Sequence, residues 1–203
     1  MQTPNKKFYL VLIILFFLGL NWSAINPKEY FTWFLEVFPA IIGFIILSFT
    51  YKRFPFTKLV YILILIHCWI LFIGGHYTYA EVPLFNYIRD TFSQSRNNYD
   101  KLGHFIQGFV PAMIIREIFI RKEIIKKSWR AFTIVCICLA VSAFYELIEW
   151  WTSVLTGESG DAFLGTQGYV FDTQSDILFA MIGAITALLL LSKIHDKQIK
   201  HLS

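Results

Sequence analysis

Six apolar stretches, each close to the length that crosses a bilayer, are the strongest constraint on how this chain can fold. A helix needs about 20 mostly apolar residues to cross the hydrocarbon core of a membrane. The stretches cover roughly residues 8–25, 31–49, 59–75, 103–120, 131–151 and 171–192. Of the 203 residues, 56% are hydrophobic, so little of the chain is left for a soluble domain. We therefore predict an all-α polytopic membrane bundle of about six transmembrane helices, with residues 1–203 forming a single integral membrane domain.

The first apolar stretch has two interpretations. Lys6 and Lys7 precede a short apolar core, as they do in a secretory signal peptide. Trp22, however, stands where a cleavage site wants a small residue. We therefore favour a retained membrane anchor over a cleaved leader.

Basic residues between the spans predict the orientation of the chain. Loops on the cytoplasmic side of a membrane carry an excess of lysine and arginine. Most of the 18 lysines and arginines lie in the N-terminal tail, in the loops after spans 2 and 4, and in the C-terminal tail. Both termini are therefore predicted to be cytoplasmic, in a bacterial cytoplasmic (inner) membrane. The formal net charge of +4 follows from this topology, so we expect no nucleic-acid partner, and the sequence indicates no oligomeric state.

Polar residues within or bordering the spans collect mainly at the end predicted to face outward. Three pairs of them are spaced three or four residues apart, and each pair therefore shares a helix face: Asp100 with His104, Glu146 with Glu149, and Asp172 with Asp176. Three charged faces at one depth would contact lipid unless they meet one another. The pattern predicts an outward-facing His/carboxylate pocket lined by spans 4, 5 and 6.

This residue set permits two kinds of chemistry. Histidine and carboxylates ligate divalent metals such as Zn, Mn, Mg or Ca, and the same groups act as acids and bases. The candidate metal ligands are His104, Glu146, Asp172 and Asp176. The candidate catalytic residues are His104, Asp100, Glu146 and Asp176. The candidate substrate-binding residues are Lys101, Gln107, Glu149, Gln167, Asp172 and Gln174. A metal-free ion-pair network built on Lys101 is the alternative.

Two loops border this end of the predicted bundle. In "HYTYAEVPLFNYIRDTFSQS", Pro83 is typical of a first helical position, which favours a short interfacial helix over a plain linker. The loop before span 6 carries Glu158 and Asp161 among glycines that allow tight turns. Its "GESG" resembles the short signature of intramembrane serine proteases, but Ser159 lies in a loop and has no base histidine on a following span. The zinc-protease motif H-E-x-x-H and the phosphate-binding loop are absent from the sequence.

Three long motifs resemble a known family. They are "YDKLGHFIQGFVPA" (Tyr99–Ala112), "YELIEWW" (Tyr145–Trp151) and "DAFLGTQGYVFDTQSDI" (Asp161–Ile177). They look like the YjdF-like family of bacterial inner-membrane proteins, a domain of unassigned function. The resemblance implies a membrane protein in which the polar residues of these motifs matter, and it implies no reaction. More distantly, the D-K-x-x-H at Asp100 and "DILFAMIG" are similar to VanZ-like membrane proteins, some of which are linked to glycopeptide resistance, which implies an envelope-related role.

Three functions are consistent with these features. The first is binding of a polar head group or a cation in an envelope-related role. The second is a metal-assisted or acid/base enzyme that acts on a lipid-linked or envelope small molecule. The third is a structural protein whose polar residues lock helices together. In each, membrane lipid is the expected partner, and a divalent metal is the one cofactor that the residues suggest.

Overall fold

The computed structural model describes residues 6–157 and 165–202, and all regular secondary structure in these ranges is helical. The helices are α1 (Lys6–Ala24), α2 (Tyr30–Thr50), α3 (Lys58–Tyr77), α4 (Pro83–Thr91), α5 (Tyr99–Arg121), α6 (Lys127–Thr156) and α7 (Asp172–Lys200). Among the described residues, six helices are long and apolar enough to cross a membrane; α4, with nine residues, is too short. The predicted all-α, six-span bundle is therefore confirmed. The largest difference is at the C-terminus, where the last helix continues eight residues beyond the predicted end at 192.

Local signals explain where several helices begin. The Glu29 carboxylate caps α2 by accepting hydrogen bonds from the backbone amides of Phe31 and Thr32. Partial burial by itself raises the pKa of Glu29, but these hydrogen bonds outweigh it and hold the pKa below the ordinary value. Thr57 caps α3 in the same way, and Pro83 occupies the first turn of α4 as predicted.

The bundle has two halves that α3 joins. Helices α1 and α2 pack on one side of α3, and α5, α6 and α7 form the other half. Phe16 of α1 stacks on Phe44 of α2 with ring centroids 4.8 Å apart, and Trp33 Nε1 donates to Ser23 Oγ at 3.0 Å. Helix α1 is thus packed against α2 and α3.

Helices α5 and α7 approach more closely than ordinary side chains allow. A Cβ atom on Gly108 would overlap the carbonyl oxygen of Ala180, and a Cβ atom on Gly183 would overlap that of Phe105. Small residues at such crossings let two backbones approach in a membrane. Because both helices begin at the same end of the bundle, this packing brings the polar first turns of α5 against those of α7.

Replacing Gly183 by alanine is expected to separate α5 from α7, because the added methyl group meets rigid backbone. Overpacking of this kind costs about 1–3 kcal/mol. The melting temperature in detergent should fall by several degrees. The matched control is Gly43→Ala in α2, where an added Cβ would meet nothing within 4 Å. Equal melting temperatures for the two variants would contradict the close approach of α5 and α7.

Candidate functional site

Nine ionisable side chains converge at the end of the bundle where α5 and α7 begin and α6 ends. We call this group the acidic cluster: Glu36, Arg96, Asp100, Lys101, His104, Glu146, Glu149, Asp172 and Asp176. Each is at most 8% exposed, although together they come from α2, α5, α6, α7 and the α4–α5 loop. The structure thus brings the three predicted polar pairs together, and α2 adds Glu36 to them.

Lys101 bridges two carboxylates of α7. Its Nζ lies 2.6 Å from Asp172 Oδ1 and 2.6 Å from Asp176 Oδ1. Arg96 Nη1 lies 2.5 Å from the same Asp172 oxygen, and Arg96 also donates to the carbonyl oxygens of Gly165 and Thr166. The start of α7 and the segment before it are therefore attached to α5 through these two cations.

His104 presents one ring nitrogen to three carboxylates. Its Nε2 lies 3.5 Å from Asp100 Oδ1, 3.4 Å from Glu146 Oε1 and 4.0 Å from Asp176 Oδ1. Its Nδ1 lies 3.1 Å from Gln107 Oε1, which is an acceptor and therefore places the proton of a neutral ring on Nδ1. In that tautomer, assigned from the hydrogen bond, Nε2 offers a lone pair toward the carboxylates.

The face of α6 that includes Glu146 carries buried polar atoms without hydrogen-bond partners among the described residues. Within residues 6–157 and 165–202, Glu146 Oε1 and Ser142 Oγ are buried without a hydrogen-bond partner. Ser142 lies one turn before Glu146 and is fully buried. A buried acceptor without a donor is costly unless a proton or an ion completes it.

The charges of the acidic cluster do not balance. Six carboxylates face two permanently cationic side chains, Arg96 and Lys101, which leaves a surplus of four negative charges when every carboxylate is ionised and His104 is neutral. Buried charge without a counter-ion is strongly unfavourable, above all within a membrane. The cluster must therefore take up protons or cations to be stable.

One subset of the cluster has the geometry of a metal site. Asp100, His104 and Asp176 each offer a ligand atom, and these atoms all lie within 4.8 Å of one another. The metal ligands predicted from the sequence included Glu146 and Asp172 and did not include Asp100. In the structure Asp172 is paired with both cations, and Glu146 lies outside this group of three, with its Oε1 3.4 Å from His104 Nε2. One histidine with carboxylates suits Zn²⁺ or Mn²⁺.

The remaining sequence-predicted residues are divided between the cluster and other positions. Gln107 contacts His104, and Glu149 is buried within the cluster. Gln167 instead pairs with the backbone of Asn97, accepting from its N–H at 3.0 Å and donating to its carbonyl oxygen at 2.8 Å. Gln174 is exposed on α7, away from the buried face of Asp172 and Asp176. The structure therefore does not bring Gln167 or Gln174 to the cluster.

Three residues of the loop before the last span, Glu158, Ser159 and Asp161, lie outside the described residues. The described part of that loop contains Gly165 at φ 60° and Gly168 at φ 80°, in the left-handed region that glycine adopts at little cost.

Three residues of the site were not among the sequence-predicted residues: Glu36, Arg96 and Tyr145. Arg96 lies four residues before Asp100, and its Nη2 is 3.7 Å from Asp100 Oδ2. The spacing of four residues between Arg96 and Asp100 was the sequence feature that could have identified Arg96 as part of the site. Tyr145 donates to Glu36 Oε2 at 3.3 Å and so links α6 to α2, a contact between distant parts of the chain that no local pattern reveals.

A second group of charged residues, the paired cluster, occupies the opposite end of the bundle: Arg116, Glu117, Arg121, His195 and Asp196. Arg116, Glu117 and His195 are buried, Arg121 is partly buried, and Asp196 is exposed. The last span was predicted to end near residue 192, but α7 continues to Lys200, and His195 in this extension is completely buried. Glu117 accepts hydrogen bonds from His195 Nε2 at 2.9 Å and Arg121 Nη1 at 2.8 Å. It also accepts from the amide and hydroxyl groups of Thr57.

The paired cluster differs from the acidic cluster in both charge and hydrogen bonding. Its two carboxylates, Glu117 and Asp196, balance the two arginines. Among the described residues, none of its side chains has a buried polar atom without a partner. It has the properties of a helix-locking network, since its charges and hydrogen bonds are satisfied internally.

The six apolar helices and their buried polar ends define a multi-pass α-helical protein of the bacterial inner membrane. The chain belongs to the family described as "Predicted membrane protein (DUF2238)", whose pattern matches residues 8–197. It is also similar to "Inner membrane protein YjdF" of Escherichia coli (strain K12), with 45% identity over 182 residues, covering 89% of this chain and 87% of that protein. No solved structure matches the chain. The predicted family resemblance and the membrane location are thus confirmed, and the molecular function of the family is unassigned.

Proposed function

We propose that this inner-membrane protein binds a divalent cation in the acidic cluster. The ligands are Asp100 and His104 of α5 and Asp176 of α7, with Glu146 of α6 available as a fourth. The ion joins three helices at the point where their polar faces meet. The observation that carries the proposal is the set of three carboxylates around His104 Nε2.

The tautomer of His104 is the first support. In the tautomer with the proton on Nδ1, the lone pair on Nε2 points toward carboxylate oxygens, and a cation between them would stabilise this arrangement. A divalent cation at this position turns four repelling groups into ligands. It also supplies a partner for Glu146 Oε1, which has none among the described residues.

The contrast between the two clusters is the second support. The paired cluster shows how this protein locks helices, with balanced charges and complete hydrogen bonding. The acidic cluster has surplus negative charge and an unpaired carboxylate oxygen. Protons or cations can neutralise that surplus, and one bound divalent cation removes half of it.

The predicted orientation places the acidic cluster in the outer half of the membrane. The pocket would then take its cation from the outer side, consistent with the envelope-related role that the resemblance to VanZ-like proteins implies. A metal-assisted or acid/base enzyme acting on a lipid-linked or envelope substrate is the second candidate. It is favoured by His104, which lies between two carboxylates at distances suited to proton transfer after small adjustment.

The test is the metal content of the detergent-purified protein, measured by plasma mass spectrometry after loading with Zn²⁺, Mn²⁺, Mg²⁺ or Ca²⁺ and removal of free ions. We expect near-stoichiometric retention of at least one ion by the wild type and its loss in Asp176→Asn, which removes one ligand charge. The control is Asp90→Asn, because the Asp90 side chain is 67% exposed on α4. Absence of all four metals from the wild type, or equal retention by Asp176→Asn, would overturn the proposal.

A further inference from the structure

A groove of about 760 Å³ opens beside the acidic cluster, between α4, α5, α7 and the loops that precede α5 and α7. Arg96 and Lys101, the two permanent cations of the cluster, both line it. None of the described residues that line the groove is acidic, because the carboxylates lie on the other side of these cations. The two charged residues of the lining are therefore both basic, and each is paired with carboxylates of the acidic cluster behind it.

One of these two cations, Arg96, has a donor without a hydrogen-bond partner among the described residues. Arg96 is 7% exposed, and its Nε has no hydrogen-bond partner among the described residues, although both of its terminal nitrogens are engaged. The Tyr169 ring lies over this group, with its centroid 5.6 Å from Arg96 Cζ and 5.8 Å from Lys101 Nζ. Guanidinium and ammonium groups held in this way are typical of sites that bind phosphate.

The rest of the lining includes both polar and apolar side chains. Gln94, Ser95 and Asn98 are polar, and Phe85, Phe105 and Phe179 are apolar. The neighbouring helix α4 exposes Leu84 at 64%, and Phe92 directly after it is 71% exposed, as in a helix that lies in the membrane interface. A ligand that fits this lining has an anionic head and an apolar body.

We propose that the groove binds the phosphate head group of a membrane amphiphile. Arg96 and Lys101 face the phosphate, the polar residues of the lining solvate it, and the phenylalanines contact the acyl part. This site is separate from the cation site, and it does not require a metal. The groove takes no part in the proposed cation site, and phosphate-bearing amphiphiles are the ligand class that we assign to it.

The test measures binding of a short-chain phosphatidic acid, inorganic phosphate and a short-chain diacylglycerol to the full chain in a neutral detergent. Gln94→Glu places a negative charge in the groove, keeps an acceptor for Asn98 Nδ2, and leaves the buried ion pairs unchanged. Asn26→Asp is the control, because Asn26 is exposed at the same end of the bundle and does not line the groove. Its positive φ is one that aspartate also tolerates.

We expect phosphatidic acid to bind the wild type and to bind Asn26→Asp equally well. Its binding to Gln94→Glu should be about fivefold weaker, because unscreened repulsion between the new carboxylate and the phosphate costs roughly 1 kcal/mol. Diacylglycerol should bind far more weakly than phosphatidic acid, since it lacks the charge. Equal affinity for inorganic phosphate and phosphatidic acid would overturn the lipid assignment. Equal affinity of wild type and Gln94→Glu for phosphatidic acid, or no binding of either phosphate compound, would overturn the site itself.

Discussion

Replacing Lys101 by methionine is expected to raise the affinity for a divalent cation by at least about 100-fold. The Lys101 ammonium lies 2.6 Å from oxygens of Asp172 and Asp176, so it occupies the position of a counter-ion and repels an incoming one. Two unit charges 4 Å apart interact by about 4 kcal/mol at an effective dielectric constant near 20, and about 2.7 kcal/mol already corresponds to 100-fold. Methionine keeps the length and the apolar stem of the side chain.

The same substitution should lower stability when metal is absent. Without the ammonium, Asp172 and Asp176 lose a buried partner, and breaking one side of a buried pair costs about 3–5 kcal/mol. Added cation should restore the melting temperature of Lys101→Met beyond that of the wild type under the same conditions. A structural ion-pair network would lose stability in the same way but would gain nothing from metal.

Calorimetric titration with Mn²⁺ measures the affinity, and thermal unfolding with and without Mn²⁺ measures the stability. The matched control is Lys28→Met at the same end of the molecule. Lys28 also pairs with a carboxylate at 2.6 Å, that of Glu81, but its side chain is 52% exposed. We expect no change in Mn²⁺ affinity for this control. Equal Mn²⁺ affinities for the two lysine variants would show that Lys101 does not compete with the ion.

Replacing Glu117 by glutamine should have the second large effect, a loss of about 3 kcal/mol or more in the free energy of unfolding. Both oxygens of Glu117 accept hydrogen bonds, from His195, Arg121 and the N-terminus of α3 at Thr57. A glutamine amide replaces one of these acceptors with a donor that faces other donors. Arg121 then loses its carboxylate partner, while Arg116 keeps its ion pair with Asp196.

Thermal unfolding in detergent measures this effect, with Glu123→Gln as the control, since Glu123 is exposed two residues after Arg121. We expect a melting temperature several degrees lower for Glu117→Gln and near the wild-type value for Glu123→Gln. Metal binding per folded molecule should be unchanged in both variants, because the paired cluster lies at the opposite end from the acidic cluster. A Glu117→Gln protein as stable as the control would contradict the locking role.

The sequence predicted the fold well because the bilayer fixes the length of each apolar segment. All six spans appear as helices, and Pro83 begins the short helix α4 as its residue preference indicates. The helical spacing of Asp100 with His104 and of Asp172 with Asp176 also identified faces that the structure brings together. These features depend on periodicity within one helix, which a single sequence displays.

The features of the site that the sequence did not predict depend on contacts between helices. Whether Asp172 pairs with cations or faces His104 is decided by the depth at which α5 and α7 cross, which Gly108 and Gly183 set by close backbone contact. The burial of His195 depends on the partner that Glu117 provides from α5, so its position near the C-terminus was misleading. Arg96 belongs to the cluster because the loop before α5 folds back toward Asp172.

The most direct test of the cation site is the coordination of bound Mn²⁺ measured by pulsed electron paramagnetic resonance. A cation site that includes His104 should show hyperfine coupling to one directly bound nitrogen in the wild type. The same coupling is expected in His201→Gln, because the exposed His201 ring lies after the end of α7. The same coupling should disappear in His104→Gln, since His104 is the one histidine whose ring nitrogen lies within 4 Å of Asp100 and Asp176. Bound Mn²⁺ without nitrogen coupling in the wild type, or coupling that persists in His104→Gln, would contradict a cation site at Asp100, His104 and Asp176.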